Sequence, residues 1–108
     1  MNINIHKGAE VFTADGFRLG QAVAIFQRLE DVNPALKLFE YYLKVTNLEM
    51  WDEFFIPLEY VGKAGEYDVT LSIDMKKVQE ETLSRMPKFI ANHQAKRIEL
   101  APGELVTV

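Results

Sequence analysis

The sequence predicts a mainly β fold. The expected form is a small, highly curved β-barrel of about five or six strands with one C-terminal helix, and an open α+β sheet is the alternative. Three observations predict it. Apolar and polar residues alternate through three runs within residues 39–73, the period-two mark of half-buried strands. Asp15-Gly16 stands between two apolar runs, a strong hairpin signal. At Asp74 the apolar period lengthens from two to about 3.6, which marks a helix. Glycine-bearing turns between short strands favour a small closed sheet, and 108 residues make one domain.

Ile3 and Ile5 alternate with Asn2, Asn4 and His6, an extended entry into the first strand. The hairpin of residues 8–20 follows. Gly8 and Gly20 flank its turn, where a residue without Cβ allows a bulge or sharp bend. Gln21 to Phe26 continue the second arm with apolar residues on both faces, as in a strand covered on both sides. Residues 27–38 read as a loop, broken at Asn33-Pro34. Phe39, Tyr41, Leu43 and Val45 then share one face of a strand. Phe54, Ile56, Leu58 and Tyr60 share a face of the next, where Pro57 implies an edge position or a bulge because it cannot donate to the ladder. Gly62-Lys63-Ala64-Gly65 reads as a turn, and Tyr67, Val69, Leu71 and Ile73 line the cleanest alternating strand.

Asp74 is a good N-cap. Met75, Val78, Thr82 and Met86 mark one face of a helix that Pro87 stops. Lys76–Glu80, Lys77–Glu81 and Glu81–Arg85 are opposite charges four apart, each worth a few tenths of a kcal/mol on a helix. Phe89-Ile90 adds a further turn, Arg97 to Leu100 a short strand, and Pro102-Gly103 breaks the chain.

Composition excludes several functions. There is no cysteine, which removes disulfides, thiolate zinc sites and a catalytic thiol and fits a reducing compartment. No apolar run reaches the ~20 residues of a membrane helix. The N-terminus lacks the basic-then-apolar pattern of a secretory leader, so a cytoplasmic location is expected. The net charge is −4, and it is uneven: residues 1–72 hold six Lys/Arg against eleven Asp/Glu, for −5, while residues 73–108 hold six against five, for +1. Neither part has the concentrated basic face of a nucleic-acid binder.

The residues Gly8-x-Glu10-Val11-Phe12-x-x-Asp15-Gly16-x-x-Leu19-Gly20-x-x-Val23 resemble the opening of a PRC-barrel domain. That small β-barrel is named after the cytoplasmic part of the photosynthetic reaction-centre H subunit, and it also forms the C-terminal domain of a ribosome-maturation factor. Residues 53–61, with Phe55-Ile56-Pro57, resemble a later strand of that family, and Tyr67 to Ile73 followed by Asp74 resemble the strand that closes its barrel. The resemblance covers residues 3–75 and is nearest to small stand-alone bacterial members. It implies a barrel and protein-docking relatives, and it brings no catalytic motif. Residues 28–38 and the extension from residue 75 lie outside the pattern and are where a specialised role is expected.

No chemistry-bearing constellation emerges. His6 and His93 are the only histidines, without ligand spacing around either, so no metal and no cofactor are expected. The carboxylate pairs Glu30-Asp31, Asp52-Glu53 and Glu80-Glu81 read as solvated. Ser72 and Ser84 lack a nucleophile-elbow context. Trp51, Phe54 and Phe55 are more informative: Phe54 and Phe55 face opposite ways in a regular strand, so one belongs to the core. The other is covered by the helix face of Met75, Val78 and Met86, or faces a partner. The expectation is a non-enzymatic protein-binding or scaffolding module, with a homodimer as one form. Its expected interface is Trp51, Phe55, Leu36 and Leu38. The alternative is a small-ligand binder or enzyme using the barrel mouth. A photosynthetic or electron-transport role is a third, by fold analogy alone.

Overall fold

The computed structural model describes residues 5–29 and 39–102. The fold is mainly β. Strands β1 (Glu10–Phe12), β2 (Arg18–Arg28), β3 (Tyr41–Asn47), β4 (Asp52–Pro57), β5 (Val61–Ala64), β6 (Asp68–Leu71) and β7 (Ala95–Glu99) form one sheet, with short helices α1 (Met75–Glu80) and α2 (Lys88–Ala91) before the last strand.

β2 is the hub of that sheet. Its first residues pair with β1, its last five with β7, and its other edge with β3. Two bulges let one strand serve three neighbours. Val11 and Phe12 face Gly20 and Arg18, leaving Leu19 extra; Val45 and Lys44 face Ala22 and Ala24, leaving Val23 extra. Each bulge bends the strand and increases its twist. Gly20 fits the first bend: its φ is +147°, and a Cβ there would lie 2.4 Å from the Thr46 carbonyl oxygen. The Asp15-Gly16 turn is held by Gly16 N–H donating to Thr13 O at 3.0 Å and Phe17 N–H donating to Thr13 Oγ1 at 2.9 Å.

The strand order is β4-β3-β2-β1-β6-β5, with β1 and β6 parallel. Among the described residues the sheet does not close on itself, because the edge strands β4 and β5 do not pair. Yet these two edges are consecutive in the chain, joined by one 3₁₀ turn over Leu58–Tyr60. The segment around α1 lies across the opening. Phe55 N–H on the free edge of β4 donates to Leu83 O at 2.7 Å and the Tyr60 hydroxyl donates to Glu81 Oε1 at 2.6 Å, while Ser72 N–H, donating to Tyr60 O at 2.8 Å, extends the β5–β6 ladder. Pro57 sits in an edge strand, where its missing N–H costs no ladder bond.

The concave face of the sheet is filled with side chains. Val11, Ile25, Leu43, Val45, Ile56, Val69 and Leu71 are each at most 1 % exposed and belong to one cluster, with Val78 and Leu83 packed over them. A second cluster lies on the opposite face, where α2 brings Phe89 and Ile90 onto Tyr42 and Phe55.

The structure corrects three sequence expectations. The helix from Met75 ends at Glu80, well before Pro87. Thr82 takes a φ of +49° there, and Leu83 N–H and Thr82 N–H donate to the carbonyls of Val78 and Gln79, which is the Schellman termination. Glu81–Arg85 is therefore beyond the helix, while Lys76–Glu80 and Lys77–Glu81 form at 3.9 and 3.8 Å. Residues 62–65 are not a turn: Val61–Ala64 is strand β5 and the chain turns at residues 65–67, where Gly65 N–H donates to Asp68 O. Finally, two short helices replace one.

Candidate functional site

The aromatic interface expected around Trp51 divides in two. Phe55 is 2 % exposed and is not a surface residue. Its ring lies 6.4 Å from that of Phe26, in the cluster that Phe89 and Ile90 cover. The cover for the second aromatic comes from α2, not from the α1 face of Met75, Val78 and Met86. Phe54, at 8 %, belongs to the concave core. Leu36 and Leu38 lie outside the described residues, as does Glu30-Asp31.

Trp51 is the opposite case. Residues 48–51 connect β3 to β4, with Asn47 and Asp52 facing each other as the last rung. The Asn47 side chain, buried at the base of the loop, accepts from the amides of Glu49 and Met50 at 3.1 and 3.2 Å. This local bond set fixes the turn. It leaves Leu48, Met50 and Trp51 at 68, 69 and 87 % exposure, with Trp51 at a φ of +58°. A bulky residue rarely adopts that backbone conformation. The result is an apolar hairpin tip projecting from the fold.

The tip borders an open cleft of about 550 Å³. Thr46 and Glu53, paired across the hairpin, lie at its base. Trp51, Leu48 and Asp52 form one side, and Ser84 on the link between the helices lies on another. No Lys, Arg or His lines it. Glu53 is 3.5 Å from Lys44 Nζ. The β1–β2 turn projects from the same end of the sheet, since Gln21 near the start of β2 pairs with Thr46 near the end of β3. Its Phe17 is 57 % exposed. Arg18 there pairs with Glu10 through a charge-assisted hydrogen bond, which lowers the Glu10 carboxyl below its usual range.

The remaining candidates are dispersed. His6 lines a separate opening with Glu66 and Tyr67, and its Nδ1 is buried with no hydrogen-bond partner among the described residues. His93 is exposed at the end of α2 with a φ of +58°. No group of three or more His, Cys, Asp or Glu side chains among the described residues is arranged to hold a metal ion. Glu80 and Glu81 are engaged by Lys76 and Lys77, and Glu81 also accepts from Tyr60. Ser72 is exposed and its hydroxyl donates to Tyr60 O. No helix among the described residues is long and apolar enough to cross a membrane. The sequence pointed to Trp51, but gave no direct sign of Leu48 and Met50 as its neighbours on the surface; the signal was a four-residue connection between alternating strands that contains three large apolar side chains.

No protein-family model, curated protein or solved structure matches the chain.

Proposed function

We propose that this protein is a non-enzymatic docking module, a PRC-barrel-like scaffold that uses the hairpin tip of Leu48, Met50 and Trp51 to hold another protein or a second copy of itself. The observation that carries this reading is Trp51: a large aromatic at 87 % exposure, on a backbone conformation that disfavours it. Strained backbone at an exposed aromatic supports a binding role, because such strain, held here by the Asn47 bonds of the turn, clusters at binding and active sites, and aromatic anchors dominate protein interfaces. The barrel-like scaffold is supported by the bulged hub strand β2 and by edge strands one 3₁₀ turn apart. The packed concave face weighs against a ligand held inside the sheet.

The test is Trp51→Ala, alone and with Leu48→Ser and Met50→Ser. These side chains are exposed, so the circular dichroism spectrum and the unfolding midpoint are expected to stay close to wild type. Light scattering of the purified protein and pull-downs with both baits are expected to show lost self-association or lost partners. An unchanged oligomer together with unchanged partners overturns the reading.

A further inference from the structure

We infer that the cleft beside Trp51 takes a segment of a partner protein in which apolar residues alternate with Lys or Arg. This rests on the docking reading above and adds the chemistry of the occupant. The apolar component follows from the tip itself, where Leu48, Met50 and Trp51 present area that only an apolar surface can cover. The cationic component follows from charge. Asp52 and Glu53 line the cleft and no basic side chain does; the nearby cations lie on the other side of the tip, where Arg18 is within electrostatic reach of Glu49 and Lys7 shares an opening with Leu48. Lys44 neutralises part of Glu53 at 3.5 Å, but its own side chain is mostly covered, at 19 % exposure. Asp52 forms no ion pair among the described residues.

An indole beside carboxylates suits one kind of visitor. The face of Trp attracts Lys and Arg cations more strongly than other rings do. The aliphatic stem of those side chains lies along apolar surface while the head stays in water. A guanidinium or ammonium at Trp51 would have Asp52 and Glu53 within the same cleft, and its neighbours would cover Leu48 and Met50. The same carboxylates repel a nucleic-acid backbone or an anionic lipid surface.

Trp51 is the only tryptophan of the chain, so its fluorescence reports this site alone. Whole protein is titrated with a short alternating Lys-Leu peptide and, separately, with its Glu-Leu counterpart. The Lys-Leu peptide is expected to shift Trp51 emission and to bind about tenfold or more tightly than the other. The preference is expected to shrink as salt rises from about 0.05 to about 0.5 M, because the screening length shortens. Asp52→Asn with Glu53→Gln is expected to abolish the preference. Equal binding of both peptides, a preference insensitive to salt, or a full preference retained in the double variant overturns the inference while leaving the docking reading intact. No response to either peptide also overturns it, and the Trp51→Ala association experiment then decides whether the docking reading falls with it.

Discussion

Trp51, Thr82 and His93 have φ angles of +58°, +49° and +58°, a conformation that costs an ordinary L-residue roughly 1–2 kcal/mol. Two of the three have the same local duty. At Thr82 and at His93 a helix ends in paired carbonyl bonds, from Leu83 to Val78 and Thr82 to Gln79 in one case, from Gln94 to Phe89 and His93 to Ile90 in the other. Glycine is the usual residue there. Its absence is why neither helix end was legible in the sequence, and why Pro87 was read as the stop. Thr82→Gly and His93→Gly are each expected to raise stability by about 0.5–1 kcal/mol, the relief of strain less the backbone freedom of glycine. Urea midpoints measure this. Trp51 is strained with no helix to end, which sets it apart. Tyr60 carries a further residue-scale expectation. Its hydrogen bond to Glu81, helped by burial, pushes the phenol up to about 12 from 10. The folded state therefore holds this proton more tightly than the unfolded state. The stabilisation is complete below pH 10 and is lost as pH rises from 10 to 12. Tyr60→Phe is expected to flatten the alkaline fall in stability, leaving what Tyr42 and Tyr67 contribute through hydroxyls that burial also raises. Unfolding curves of both proteins across that range decide it.

Elements show which signals are physical and which are coincidental. The alternation in β3 was legible because Leu43 and Val45 face a core while Lys44 and Thr46 between them stay half-exposed; β4 is less regular because Phe54 and Ile56 face one core and Phe55 the other. That the second core exists was not legible, since its cover is the four-residue helix α2, too short to show a period. Phe55→Ala is expected to cost about 3–5 kcal/mol, as for other buried aromatics, so it tests the fold and not an interface. Gly62 imitated a turn for a different reason. A Cβ on Gly62 would meet the Thr70 carbonyl oxygen at 3.2 Å, so that glycine answers a close approach between strands. Gly20 obeys the same rule more strictly. Gly20→Ala forces both a clash with Thr46 and an unfavourable φ, and an expected loss of about 3 kcal/mol or more is checked by thermal unfolding. A loss under about 1 kcal/mol would show that β2 can shift away from β3.

At the scale of the whole molecule, the mainly β character was legible and closure was not. Gly20 and the two bulges mark where β2 can bend, but whether the sheet's edges meet depends on β4 and β5, far apart in strand order though adjacent in the chain. Two hydrogen bonds, Phe55 to Leu83 and Tyr60 to Glu81, tie the segment that follows α1 to the free edge of β4 and to the turn after it. The pairing of β7 with β2, from Ala24–Glu99 to Arg28–Ala95, is the longest-range ladder in the fold. A chain stopped after residue 94 is expected to lose cooperative unfolding and to aggregate, because half of one edge of β2 is then unpaired. A monomeric truncated chain with an unchanged urea midpoint would contradict this.

The position of β7 also bears on synthesis. β2 leaves the ribosome well ahead of its partner β7. β1 likewise waits for β6 to supply its parallel neighbour. Such distant pairings close slowly, so folding is expected to wait until β7 has emerged and then to take about milliseconds to seconds. Until then the nascent chain carries an open central strand flanked by apolar residues, a stretch exposed to mispairing.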